Sequence, residues 1–409
     1  MNEYKFTDVL NELLYNFNDT VVPERDNGLW ERFRNSETEL WLDTGDIEAA
    51  KKLWNKNFSA LTTNNTLLNK EIQKGIYDDL IKEAARFYNK NDTKETVKDI
   101  ALVLNALHGL RLVRIFNAKV SVELHTDLAH DIDGIEFFGT KLYNVDPEHF
   151  IIKVPFTAAG LIGARKLHDK GIPVNFTLMF SARQNILAAM IAKPAYSNVF
   201  LGRIGAFLND NGLGKPDFIG EKVTIKTQSY LKELRRNDPF HTRLIAASIR
   251  NREQLLMMKN TDVFTIPVTV TEDTVNNLGT NSEIPFKEPG DIELFYKDDL
   301  INSQINKLME VDDLVFEIGK EFSENIPSSE TELTDLANDR GCEDIFPELN
   351  TEDERTIISD GKIPVYKHWK EQITHNKTAV DSLLNLAGLY AFKKDQAALD
   401  NRIKEKLKE

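Results

Sequence analysis

Lys153 stands inside FIIKVPFTAAG, with Phe150, Ile151, Ile152 and Val154 around it. An amine in so apolar a stretch is penalised in its charged form, and an uncharged amine is a nucleophile. It can condense with a ketone to an iminium, which accepts the electron pair of a breaking carbon–carbon bond. A lone lysine at a strand end more often reaches solvent or pairs with a carboxylate. Two carboxylates, Asp43 and Glu123, end other apolar runs and shift that balance. Aldol chemistry needs a proton taken from a hydroxyl as the bond breaks and returned as it forms, and carboxylates do that work. Two simpler roles stay open. Asp43 could cap a helix, although Asp46 is better placed, and Glu123 could pair with Lys153. Asn175 and Thr177, two apart on one run, point the same way; they could hold a water or a substrate hydroxyl, or fill a polar layer. Arg203 and Arg250 end two later runs, where guanidinium groups could grip phosphate oxygens bidentately, with the Ser248 hydroxyl beside them.

The elements that must position these residues are legible from residue 39 onward. Eight apolar runs alternate with helical patterns: 39–43, 58–63, 119–124, 149–154, 173–178, 198–203, 242–248 and 262–268. Each is nearly continuous in apolar residues, as strands buried on both faces should be. Eight βα units are the number that closes a (β/α)8 TIM barrel, with an open sheet covered by helices on both faces as the competing architecture. Polar residues collect at the C-terminal ends of the runs: Asp43, Asn64 just past the second, Glu123, Lys153, Asn175 with Thr177, Arg203, and Ser248 with Arg250. In a parallel barrel those ends share one face, where the active site of this fold lies. Around the barrel (39–270), residues 1–38 read as an N-terminal helical extension. Residues 271–372 read as an acidic insertion beginning with a polar, turn-rich stretch, and 373–409 as closing C-terminal helices.

Composition narrows the function further. The chain has 409 residues, of which 41% are hydrophobic and 28% charged, with a net charge of -14. That balance argues against nucleic acid or an anionic membrane as partner, and it would repel a phosphorylated metabolite unless cations were concentrated locally. No apolar run reaches the length of a membrane span, and the N-terminus lacks the pattern of a signal peptide. The single cysteine, Cys342, can form neither an internal disulfide nor a multi-thiolate metal site, which fits a cytoplasmic setting. The histidines have no metal-ligand spacing, and no nucleophile elbow or P-loop is present, so neither metal nor cofactor is expected. GLGKP (212–216) reads as a loop and KELRR (232–236) as a solvated helix face.

Several of these segments together resemble the transaldolase family. WLDTGDIEAAKKL followed by TTNNTLL is similar to its opening signature. IIKVPFTAAGLIGARKLHDKGIPVNFTLMFSARQ is similar to its Schiff-base segment, and FLGRI and AASIRN resemble its two phosphate-binding arginine motifs. The resemblance runs from about Leu40 to Val270, and more loosely near the C-terminus. It implies a Schiff base on Lys153, proton transfer by Asp43, and a catalytic water held by Glu123 with Thr177. It also implies substrate hydroxyls bound by Asn64 and Asn175, and the phosphate bound by Arg203 and Arg250. Asn198 stands where the family usually has a substrate-binding serine, with Ser197 one residue away, and Asn65 replaces the usual proline after TTN. The implied activity is transfer of dihydroxyacetone from sedoheptulose 7-phosphate or fructose 6-phosphate to an aldose phosphate, as in the non-oxidative pentose phosphate pathway. Sugar phosphates are the implied partners, and a homodimer is a candidate assembly. The sister fructose-6-phosphate aldolases place a tyrosine three residues before the first phosphate arginine and lack the glutamate after strand three. Phe200 and Glu123 occupy those positions here and favour the transferase. A barrel that has lost catalysis and survives as a binding protein is a third reading, which the intact Lys153, Asp43 and Glu123 oppose.

Overall fold

Period-two alternation decides which side chains share a barrel interior. In the computed structural model, which describes residues 3–88, 93–237, 242–279, 283–295 and 299–409, eight parallel strands close in chain order. They are β1 (Glu39–Asp43), β2 (Phe58–Thr62), β3 (Lys119–Glu123), β4 (Phe150–Pro155), β5 (Val174–Thr177), β6 (Tyr196–Phe200), β7 (Arg243–Ala247) and β8 (Val263–Pro267). Strand β8 pairs back onto β1, and helices separate the strands as in a (β/α)8 barrel. Leu40, Leu42, Ile152, Val154 and Phe176 belong to the outer core beneath the helices. Trp41, Ala60, Ile151, Tyr196, Ile245 and Val263 form a separate apolar plug inside the barrel, with the Trp41 and Tyr196 rings 4.7 Å apart.

Above the plug, toward the C-terminal strand ends, the interior turns polar. Thr62 and Thr265 share a hydrogen bond of 2.9 Å, Asn175 Nδ2 donates to Ser121 Oγ at 2.9 Å, and Asn198 Nδ2 to Asn175 Oδ1 at 3.4 Å. Register places Glu123, Lys153 and Asn175 side by side on β3, β4 and β5. The loops after the strands are equally determined. Asp46, not Asp43, caps the first βα helix by accepting from Ala49 N at 3.0 Å. Thr157 caps the helix after β4. Gly160 is required there because a Cβ would meet the Pro155 carbonyl oxygen at 2.3 Å.

Three boundaries differ from the sequence reading. The run 198–203 is not one strand: β6 ends at Phe200, and Leu201–Asp210 is a helix burying Leu201, Ile204, Phe207 and Leu208. Arg203 therefore sits in a first helical turn, not at a strand end. The division at 270/271 falls inside a helix, Val268–Leu278, whose Val270, Thr271 and Thr274 are buried, so the first part of the turn-rich stretch is helical; residues 280–282 of that stretch lie outside the described residues. The division at 372/373 likewise falls inside the helix Tyr366–Thr374. Between them, helices Asp299–Met309, Asp313–Glu324, Glu330–Asp339 and Thr351–Asp360 carry acid outward, while Ile305, Val315, Ile318, Leu333 and Ile357 join the barrel's own core. Within KELRR, Arg235 is not on a solvated face; it pairs with Asp262 at 2.7 Å. No helix among the described residues is long and apolar enough to cross a membrane.

The C-terminal helix, Val380–Lys408, crosses the open end of the barrel. Its Asn385 Nδ2 donates to the Phe156 and Leu178 carbonyls, just past β4 and β5. Its first turn is held by ions: Arg183 reaches Asp381 at 2.7 Å and Asp344 at 2.9 Å, all three buried, and Lys307 reaches Asp344 at 2.7 Å. Burial alone would raise the Asp381 carboxyl, and the Arg183 guanidinium overrides it, holding the group below its ordinary value. Removing Arg183 leaves the buried Asp381 carboxylate without a cation, while Asp344 keeps Lys307, so Arg183→Ala should cost about 3–5 kcal/mol in urea unfolding; a loss under about 1 kcal/mol would contradict the arrangement. Because Asp381 is depressed in the folded state, its contribution is complete above the unfolded value of about 3.9 and is lost as pH falls through the folded one. Acid unfolding of Arg183→Ala should therefore lack part of the wild-type pH dependence in that range.

Candidate active site

Lys153 is 2% exposed, and its Nζ donates to the Thr63 carbonyl oxygen at 3.1 Å. Among the described residues no carboxylate lies within ion-pair distance of it, so the ion pair with Glu123 left open by the sequence is not formed. A carbonyl partner leaves the lone pair of an uncharged amine free. Lys153 opens into a cavity of about 400 Å³ at the C-terminal end of the barrel. Asp43, Asn64, Asn175, Asn198, Phe200, Arg203, Ser248 and Arg250 line the same space.

Asp43 keeps part of its surface open to that cavity. The surface faces the barrel interior and not bulk water, so burial pushes the carboxyl up to about 6 against the pull of Lys153, Arg250 and Lys70. Glu123 and Thr177 do not line the cavity. They are buried on the two strands flanking β4, Glu123 at the register of Lys153 and Thr177 at that of Pro155. Burial also raises Glu123, opposed by Lys153 and by the Asn65 backbone amide, which donates to Glu123 Oε2 at 3.1 Å. A proline at position 65 would have no N–H to give, so the departure from the usual TTN-Pro pattern acts on Glu123 and not merely on the turn. Thr177 Oγ1 is buried without a hydrogen-bond partner.

Asn64 has two tasks. Its Oδ1 caps the helix Asn65–Gln73 by accepting from Leu67 N at 2.9 Å, and the cap turns the residue toward the cavity. Asn198 lines the cavity with Oδ1 unpartnered. Ser197, on the other face of β6, has a buried, unpartnered Oγ and does not line it. Alternation along the strand thus separates the two candidates for the family's serine position.

Two glycines let the arginines in. A Cβ on Gly202 would come 2.7 Å from Arg250 Nε, and one on Gly388 of the C-terminal helix 2.9 Å from Arg203 Nη1. The Arg203 guanidinium is 5.6 Å from the Phe200 ring centre and 5.8 Å from that of Phe392. Burial and the neighbouring Arg250 push Arg203 down to about 10, against Glu123 and Asp395. Its buried Nη1 has no partner, an open donor that an anionic ligand would satisfy. Ser248 holds a left-handed φ of 63° directly after β7, a conformation costly for a non-glycine residue and concentrated at ligand sites. Residues that the sequence did not flag also line the space: Phe392 from the C-terminal helix, and Lys362 with Ile363 from the connection before Tyr366–Thr374. They lie far down the chain, and no local motif marks them.

A model of the family described as Transaldolase/Fructose-6-phosphate aldolase matches residues 40–332. The match begins in β1, contains every candidate site residue from Asp43 to Arg250, and continues beyond Val270. A transaldolase from Protochlamydia amoebophila (strain UWE25) is 30% identical over 246 residues, 56% of this chain and 73% of the relative. A probable transaldolase from Dictyostelium discoideum is 26% identical over 318 residues, 73% of this chain and 96% of the relative. A probable transaldolase from Bacteroides thetaiotaomicron is 28% identical over 246 residues, covering 59% and 93%. With a closed eight-stranded barrel and a match over most of its length, this chain belongs to the transaldolase/fructose-6-phosphate aldolase family.

Proposed function

We propose that this protein is a transaldolase, carrying a three-carbon dihydroxyacetone unit on Lys153 between sugar phosphates. The observation that carries the reading is a buried amine without a carboxylate partner, opening into one cavity with a raised carboxyl, Asp43, and two arginines. Arg203 and Arg250, with Ser248, bind the phosphate of fructose 6-phosphate or sedoheptulose 7-phosphate. Asn64, Asn175 and Asn198 bind hydroxyls along the chain of the sugar. The Lys153 amine adds to the ketone carbon and water leaves, forming an iminium. Asp43 then takes the proton of the hydroxyl on the carbon beyond the bond to be broken. The C–O electrons become a carbonyl, the carbon–carbon bond breaks, and its pair is stored as the enamine on Lys153. The aldose phosphate leaves, a second one enters, the enamine carbon attacks its aldehyde, and Asp43 returns the proton. Water hydrolyses the new iminium and frees the amine. Glu123 and Thr177 hold a water beside Lys153 for these proton transfers; with the amine they supply the polar partners that a buried water needs.

Phe200 favours transfer over release. Discharging the enamine as free dihydroxyacetone requires protonation at carbon. The tyrosine of the sister aldolases is replaced here by a ring with no proton to give. With fructose 6-phosphate alone, the enzyme should release at most about one equivalent of glyceraldehyde 3-phosphate per site and stall. Erythrose 4-phosphate should restart turnover, read by a coupled assay. Steady release of dihydroxyacetone without an acceptor would move the protein to the aldolase branch.

The proton-transfer roles have a pH signature. Asp43 can accept a proton only when ionised, so kcat/KM should fall as pH drops through about 6. Asp43→Asn should remove that limb and lower kcat by roughly a hundred- to ten-thousand-fold. Asn65→Pro keeps a residue favoured at a first helical position but deletes the amide that opposes the upward shift of Glu123. Any acid limb owed to Glu123 should move to higher pH in that variant while the fold is retained. A profile unchanged in both variants would remove these two residues from the proton path.

A further inference from the structure

Among the described residues lining the cavity, Lys362 is the cation that comes from outside the eight βα units of the barrel. It lies beyond the residues matched by the family model, in the connection between helices Thr351–Asp360 and Tyr366–Thr374. That connection is rigidly made. Asp360, with its side chain 1% exposed, accepts from Val365 N at 2.9 Å and Trp369 Nε1 at 2.8 Å, and meets His368 Nδ1 at 2.8 Å. Gly361, at a φ of 80°, makes the left-handed step that ends the first helix and starts the turn toward the cavity.

The connection is also fastened to the helix that carries Arg203. Asn211, the C-cap of Leu201–Asp210, donates from Nδ2 to the Pro364 carbonyl at 2.9 Å and accepts from Tyr366 N at 2.7 Å. The Tyr366 ring meets the edge of Phe207 on the same helix. Arg203 and the segment bearing Lys362 therefore hold a fixed relation. Lys362 itself is exposed, and among the described residues it has neither an ion-pair partner nor a hydrogen bond. An unpaired lysine in so acidic a segment, held over a cavity with an open arginine donor, has a charge free for a ligand.

We propose that Lys362 is a third cation at the phosphate end of the cavity and makes the site select phosphate monoesters over unphosphorylated sugars at the binding step. The inference rests on the reading of this cavity as a sugar-phosphate site. A phosphate monoester carries close to two negative charges near neutral pH. The buried Arg203 holds its charge against desolvation and against Arg250, whereas an exposed ammonium on a flexible stem meets the anion at little desolvation cost. In a chain of net charge -14, a cation at the mouth also offsets long-range repulsion of the incoming anion. The effect belongs to binding, because Lys362 comes from a connection fastened to the helix of Arg203 and not from the strands that carry Lys153 and Asp43.

The test uses the full chain and Lys362→Ala, Lys362→Glu and Lys362→Arg. Inorganic phosphate binding is measured by calorimetry, and turnover is measured with fructose 6-phosphate or unphosphorylated fructose as donor. At low ionic strength, Lys362→Ala should weaken phosphate binding and raise KM for fructose 6-phosphate roughly three- to ten-fold, with kcat within about twofold. Lys362→Glu should lose more and Lys362→Arg should recover most of the loss. The gap between wild type and Lys362→Ala should close at about 0.5 M salt, because screening removes a charge effect and leaves a packing effect. Reaction with fructose should not change. Unaltered phosphate affinity and KM in Lys362→Ala would overturn the proposal, and so would equal losses on both donors. A wild type that binds phosphate but never releases glyceraldehyde 3-phosphate would defeat the transaldolase reading, and the phosphate titrations would still decide the role of Lys362.

Discussion

A strand buried on both faces holds charged side chains at least cost where the barrel interior opens. That constraint organises this molecule. Closure of eight parallel strands directs every second side chain to a shared axis, and the apolar plug around Trp41 and Tyr196 seals all but one end. Above the plug the interior turns polar, and there Glu123, Lys153 and Asn175 stand in register. Displacing any of these strands by one residue would turn its polar group into the apolar layer beneath the helices.

The same confinement sets the electrostatics. Lys153 has no carboxylate within pairing distance, Asp43 is pushed up to about 6, and Arg203 is pushed down to about 10. The shifts of Asp43 and Arg203 have removal from water as their largest cause, with Arg250 adding to that of Arg203. The charge that burial disfavours is held by packing: Gly202 and Gly388 leave room for the two guanidinium groups, and Phe200 and Phe392 flank one of them. The wall is completed from outside the strands. The C-terminal helix, lashed by Asp381 to Arg183, brings Gly388 and Phe392 to the cavity, and Asn211 fixes the connection bearing Lys362.

Much of this was legible in the sequence because buried parallel strands are short, nearly continuous apolar runs separated by helical patterns. All eight were found, with ends close to those observed. The sixth run extends past its strand because VFLGRI passes from strand to helix without a polar break, so apolarity alone does not mark Phe200 as the end. The helix Val268–Leu278 is only partly legible because its exposed face is as polar as a loop. Within the site, the residues on strand ends could be named one by one, since the topology of a barrel brings such ends together. That Glu123 and Thr177 stay off the cavity wall, and that Asn198 rather than Ser197 reaches it, depends on depth and facing, which type and order do not state. Lys362 and Phe392 were illegible for a different reason: they arrive by tertiary packing of segments that carry no strand pattern.

The central claim is that the Lys153 amine bonds covalently to the carbonyl carbon of a sugar phosphate, and borohydride reduction tests it most directly. Borohydride added during exposure to fructose 6-phosphate should reduce the iminium to a stable secondary amine. Peptide mapping should then find a three-carbon dihydroxypropyl group on the peptide containing Lys153, with activity lost in proportion to labelling. Omitting the sugar, or using Lys153→Met, should leave that peptide unmodified. Labelling of a different lysine, such as Lys362 at the edge of the cavity, or sustained turnover with no adduct at all, would contradict the account.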